Sequence, residues 1–139
     1  MDKEIEALIK HAIHVGEGRG KVLDFSDESI RSVSEILNFY HELYTETSEN
    51  IIKEQPDTFS HIFGAYVGEV LRQNYAPHWA WARTEYGLVL AKNEQNMVNP
   101  IGKAYKHIVN GSDDDIYSFF TVAIAVVQEK FPSQNATNS

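Results

Sequence analysis

Residues 57–81, DTFSHIFGAYVGEVLRQNYAPHWAW, set the tightest limit on how this chain can fold. At helical spacing, Phe59, Ile62, Phe63, Tyr66, Val67, Val70 and Leu71 project to one broad side. The other side carries His61, Gly64, Ala65, Gly68, Glu69 and Arg72. A glycine inside a helix costs about 1 kcal/mol relative to alanine, and small residues four apart let a neighbouring backbone approach closely. The spacing therefore predicts a central helix covered from two directions, stopped at Ala76-Pro77.

Beyond the proline the period changes. From His78 to Val98 large apolar side chains alternate with others: Trp79 and Trp81 fall in step, Glu85-Tyr86-Gly87 makes a turn, and Leu88 to Leu90 returns. This predicts a β-hairpin, with a short third strand over 96–98. A lone hairpin is marginal in water, so it must lean on helices.

The other periodic stretches read as helices. Residues 3–15 place Ile5, Leu8, Ile9, Ala12 and Ile13 on one face, and Gly16, Gly18 and Gly20 end the run. Ser26 is placed to cap a second helix over about 27–53, in which Ile30, Val33, Leu37, Tyr40, Tyr44, Thr47 and Ile51 recur at steps of three and four. Ile36, Phe39 and Leu43 widen that seam, which favours a helix laid across its own core over a dimer zipper. Gln55-Pro56 interrupts, and Asp57 or Thr58 can cap the central helix. Asn99-Pro100 opens a fourth helix that exits through Asn110-Gly111 in a left-handed conformation. Ser112 is placed to cap a fifth, opening on Asp113, Asp114 and Asp115. Its stripe of Ile116, Phe119, Phe120, Ala123, Ile124, Val127 and Phe131, with Val122 and Val126, is apolar nearly all round, so the helix should be buried. The tail after Pro132 has nothing to bury and should be disordered. Together these elements predict one mostly helical α+β domain over 1–131: about five helices around a buried central one, with one β-hairpin, extended to three short strands at most, packed on it. Residues 132–139 form the tail.

Composition removes several function classes. Without cysteine there are no disulfides, thiolate metal sites or cysteine nucleophiles. A net charge of −8 repels nucleic acid and anionic membranes. No run approaches the ~18 apolar residues of a spanning helix, and the acidic, polar-punctuated start is unlike a secretory signal, so the protein reads as cytoplasmic. GEGRGK lacks the preceding strand and following Lys-Ser/Thr of a phosphate loop and reads as a helix exit. His11 and His14 have no third ligand nearby, and His41-Glu42 lacks a second histidine four residues after the first; His61, His78 and His107 read as rim residues. Neither metal nor cofactor is expected. No nucleophile motif surrounds any serine, and Asp113 to Asp115 are accounted for as a helix start, so no catalytic residue is assigned.

Glu69 and Arg72 are the remaining charged pair of interest. Exposed, they are worth a few tenths of a kcal/mol. Covered by the hairpin, they become a partly desolvated pair whose disruption costs about 3 kcal/mol or more. The second, structural reading is favoured over a catalytic one.

Gly64-x-Tyr66-x-Gly68-Glu69-x-x-Arg72, then Trp79, then Asn99-Pro100, then Asn110-Gly111 before a helix with Phe119 and Phe120, resembles an uncharacterised family of small bacterial cytosolic proteins, a domain of unknown function. Leu23-Asp24-Phe25-Ser26 matches that family's opening element, so the resemblance spans about residues 22–131. It implies the fold and marks residues, and it carries no activity.

Two functions compete. The first is a small acidic protein-binding module, of immunity type or regulatory, whose partner has a basic surface. The second is a small-molecule-binding protein or enzyme with a pocket between central helix and hairpin, lined by Tyr66, Glu69, Arg72, Trp79 and Trp81. Monomer and homodimer are both compatible with the sequence.

Overall fold

The computed structural model describes residues 2–46 and 55–129. Among these residues, five helices, α1 (Lys3–Gly18), α2 (Ser29–Glu46), α3 (Gln55–Tyr75), α4 (Pro100–Asn110) and α5 (Ile116–Val127), pack with three strands, β1 (Ala80–Thr84), β2 (Gly87–Asn93) and β3 (Asn96–Val98). The fold is α+β and mostly helical. The strands form an antiparallel sheet in the order β1-β2-β3, with Trp81 opposite Leu90 and Ala82 opposite Val89. None of the described helices is long and apolar enough to cross a membrane.

The centre is α3, in which every residue from Ile62 to Leu71 is buried. Its most extensive neighbour is α4, and α1 packs on it as well. A Cβ at Gly64 would lie 2.4 Å from Ile101 Cα, and one at Gly68 would lie 2.4 Å from Trp81 Cη2 and 2.9 Å from Pro100 Cγ. The glycine side is thus shared between the first turn of α4 and the hairpin. Because Gly64 faces backbone, no rotamer change could admit even an alanine there.

Several boundaries differ from the sequence expectation, each for a local reason. Helix α1 runs on to Gly18, because Gly16 is itself buried against Leu23 and its carbonyl accepts from the Lys21 N–H at 2.8 Å. Helix α2 begins at Ser29 and not at 27: Phe25 sits at φ 65°, Asp24 accepts from the Ser26 N–H and hydroxyl, and Ser26 Oγ accepts from the Ser29 N–H at 3.2 Å. Ser26 therefore serves a turn ahead of the helix. The expected continuation over 47–53, with Thr47 and Ile51, lies outside the described residues, as do Phe131 and the tail. Pro56 falls in the first turn of α3, where no helical N–H is needed, and so belongs to the helix start.

Ahead of α5, Gly111–Asp114 form a separate 3₁₀ turn, entered through Gly111 at φ 80°. Asp114 is held there by Lys103 and Asn110, both at 2.7 Å. The cap of α5 is consequently Asp115, whose Oδ2 accepts from the Ser118 N–H at 3.0 Å, and not Ser112. Nor is α5 buried all round, since Val122 is 56% and Val126 38% exposed.

Candidate functional site

Glu69 is fully buried, and four donors converge on it. Arg72 makes a two-pronged contact, Nε to Oε1 at 2.8 Å and Nη2 to Oε2 at 2.7 Å. Gln73 Nε2 donates to Oε2 at 3.0 Å, and the Trp81 indole N–H to Oε1 at 3.3 Å. The i,i+3 and i,i+4 spacing puts Arg72 and Gln73 within reach on one helix, and the hairpin delivers Trp81. Burial works to raise the Glu69 carboxyl pKa, but the hydrogen bonds from Arg72, Gln73 and Trp81 outweigh it and hold the group below its ordinary value. Its hydrogen bond to Glu69 raises Arg72 in turn. A carboxylate so engaged is a weaker base than a free one. What it does is fasten the hairpin to α3.

The sequence placed five residues at a binding site, and the structure gathers only some of them. Glu69, Arg72 and Trp81 form the cluster just described. Trp79 lies beside it, buried, with an indole N–H that meets no acceptor among the described residues. A shallow recess of about 240 Å³ at the edge of the cluster is lined by Asp2, Arg72, Trp79, Ala80 and Trp81. Between α3 and the hairpin, at Gly68, the Trp81 ring fills the space where a pocket was expected.

Tyr66 serves elsewhere. Its hydroxyl accepts from the Phe25 N–H at 2.8 Å and meets Ser29 Oγ at 2.7 Å. Since Ser29 spends its own proton on the Ser26 carbonyl at 2.6 Å, Tyr66 must be the donor to Ser29. The result is a chain from Phe25 N–H through two hydroxyls to Ser26 C=O, with each bond polarising the next. Burial raises the Tyr66 pKa, partly offset by those bonds. This chain ties the Leu23-Asp24-Phe25-Ser26 element to the Gly-x-Tyr-x-Gly-Glu block of α3.

His107, read from sequence as a rim residue, is fully buried. Its Nδ1 accepts from the Ile116 N–H at 3.0 Å, which leaves the ring proton on Nε2 to be donated to Asn38 Oδ1 at 2.6 Å. Burial pushes its pKa down, against the opposing pull of Asp115. His41, whose pairing with Glu42 is no metal motif, has a structural place: its Nδ1–H donates to the Ile108 carbonyl at 2.8 Å and its ring packs on Gly111.

A further concavity lies on the sheet, on a surface that the sequence did not mark. It measures about 840 Å³, covers the outer face of the sheet, and includes Ala80, Ala82, Ala91 and Met97 in its lining. Strand alternation explains it: Trp81, Leu88 and Leu90 turn toward the helices, so the alternate positions turn outward, and there the side chains are small. Val89, paired with Ala82, is 1% exposed and takes no part in the lining, so the apolar surface of the concavity comes from the alanines and Met97. Rim positions come from the strand ends and the two turns, Arg83 to Tyr86 at one end and Lys92 to Glu94 at the other. The signal was present in Ala80, Ala82 and Ala91, out of phase with the tryptophans.

Set against protein-family models, curated proteins and solved structures, the chain matches none of them.

Proposed function

We propose that this protein is a small cytoplasmic protein-binding module that offers the outer face of its sheet to a partner. The observation that carries this reading is the concavity of about 840 Å³ over Ala80, Ala82 and Ala91, on a sheet whose Trp81, Leu88 and Leu90 pack toward the helices from the other side. Such a face is apolar in the middle, polar at its rim, and large enough to take an anchoring side chain. The buried Glu69 cluster supports it from behind by fixing Trp81, so the hairpin is presented as a rigid platform. A partner bound here would be masked or regulated, with the acidic balance of the chain favouring a basic surface on it.

A photo-crosslinking residue in place of Tyr86, which is 69% exposed at the hairpin tip, tests this in cells. One discrete protein adduct is expected, abolished by Ala82→Arg and absent when the crosslinker replaces Val122 on α5. No adduct from Tyr86, together with a melting curve raised by a single metabolite, would shift the function to small-molecule binding.

A further inference from the structure

The chemistry of the rim narrows the partner, and this step rests on the sheet-face reading above. Four charged residues line the concavity. Arg83 is paired with Glu4 and Lys92 with Glu129, so both cations are compensated within the protein. Glu85 and Glu94 are exposed and make no ion pair among the described residues. The uncompensated charge on this face is therefore negative, and it sits at two places, one in each turn.

Those turns lie at opposite ends of β2. Seven residues of strand, Gly87–Asn93, separate them, a span of about 20 Å at ~3.3 Å per residue. A helix covers the same span in about 13 residues at ~1.5 Å each. An added strand fits less well: paired to the edge of β1 it would lie away from Met97 and Glu94, and paired to the edge of β3 it would lie away from Ala80, Ala82 and Glu85. A helix laid over the face reaches all of them.

We infer that the occupant is an amphipathic helix of a partner protein, about 13 residues long, with a small apolar stripe over Ala80, Ala82 and Ala91 and a Lys or Arg near each end facing Glu85 and Glu94. The small side chains on the sheet admit the close approach of helix to strands, and the two carboxylates fix its register from both ends.

Selection from a display library of random 14-residue peptides on the full-length protein tests this, with each winner remeasured on two variants that melt like the wild type. Expected winners are helical when bound and carry basic residues about 11 positions apart, the spacing that returns to one helix face near this length. They should lose at least tenfold in affinity on the Glu85→Lys/Glu94→Lys double variant and also on Ala82→Arg. Winners that fail on Ala82→Arg but lack basic ends, bind as strands or ignore the double variant would overturn the helix proposal and leave the sheet-face reading standing. Winners that bind Ala82→Arg as well as wild type, or no winners at all, would overturn both.

Discussion

Glu69 and His107 are buried polar side chains on neighbouring helices, and the protein stabilises them in opposite ways. Glu69 is kept charged, surrounded by an arginine fork, an amide and an indole. His107 is kept neutral, its two ring nitrogens assigned one proton and two partners. Burying a charge is tolerable only when every lone pair is met; burying a neutral imidazole needs just the correct tautomer. The first node therefore depends on a neighbouring side chain being present, whereas the second depends on pH. Each can be broken separately.

Removing the cation from the first node should have the largest effect. Arg72→Met leaves Glu69 buried with only Gln73 and Trp81 to meet it, and should lower stability by about 3 kcal/mol, a fall in melting temperature of roughly 10 °C for a chain of this size. Removing the anion should cost less. Arg72 is 26% exposed, so in Glu69→Gln the guanidinium can turn toward water, and a loss of about half as much is expected. Thermal melts of the two variants side by side check the asymmetry. Equal losses would mean that Arg72 is as confined as its partner, and unchanged melting curves for both would make the pair an ordinary surface contact.

Why the first node was legible in the chain and the second was not follows from sequence separation. Gly64, Gly68, Glu69 and Arg72 lie within one helix, so spacing alone sets them on one side and implies a close neighbour. Identifying that neighbour as Ile101 and Trp81 requires the fold. For His107, Asn38 is 69 residues away and the decisive donor is a backbone N–H at Ile116, which no residue pattern announces. Helix and strand positions were readable from period. Two starts were not, because Phe25 adopts a left-handed conformation that its side chain does not advertise, and because Asp115 displaced Ser112 as cap once Lys103 held Asp114 in a turn of its own. The alanines of the sheet were visible as an alternation, but a concavity appears only when β1, β2 and β3 are paired.

The second node yields the smallest effect and the sharpest contrast, because it appears without altering the first. In the folded protein His107 holds its proton less tightly than the ordinary imidazole does, while the unfolded chain binds one at pH about 6.5. As pH falls below about 6.5 the unfolded state takes up a proton that the folded state refuses, so stability falls, by at most about 1.4 kcal/mol per pH unit, until the lower folded value is reached. Above that window the contribution is fully present. Glu69 moves in the same direction in a lower window: its folded pKa is depressed, so its contribution holds above pH about 4.5 and is lost only below it. Protonating His107 would also put a hydrogen on Nδ1, against the Ile116 N–H, with the Asp115 carboxylate 3.9 Å away favouring the added charge and Lys103 and His41 opposing it. His107→Asn places an oxygen near the Nδ1 position and cannot titrate. Denaturant unfolding across pH 7 to 5 should show a slope in the wild type that is flattened in His107→Asn and retained in Glu69→Gln. If all three chains keep the same slope, the ring is not the group that titrates. A ring-nitrogen NMR shift placing the proton on Nδ1 in the neutral protein would remove the tautomer on which the contrast between the two nodes is built.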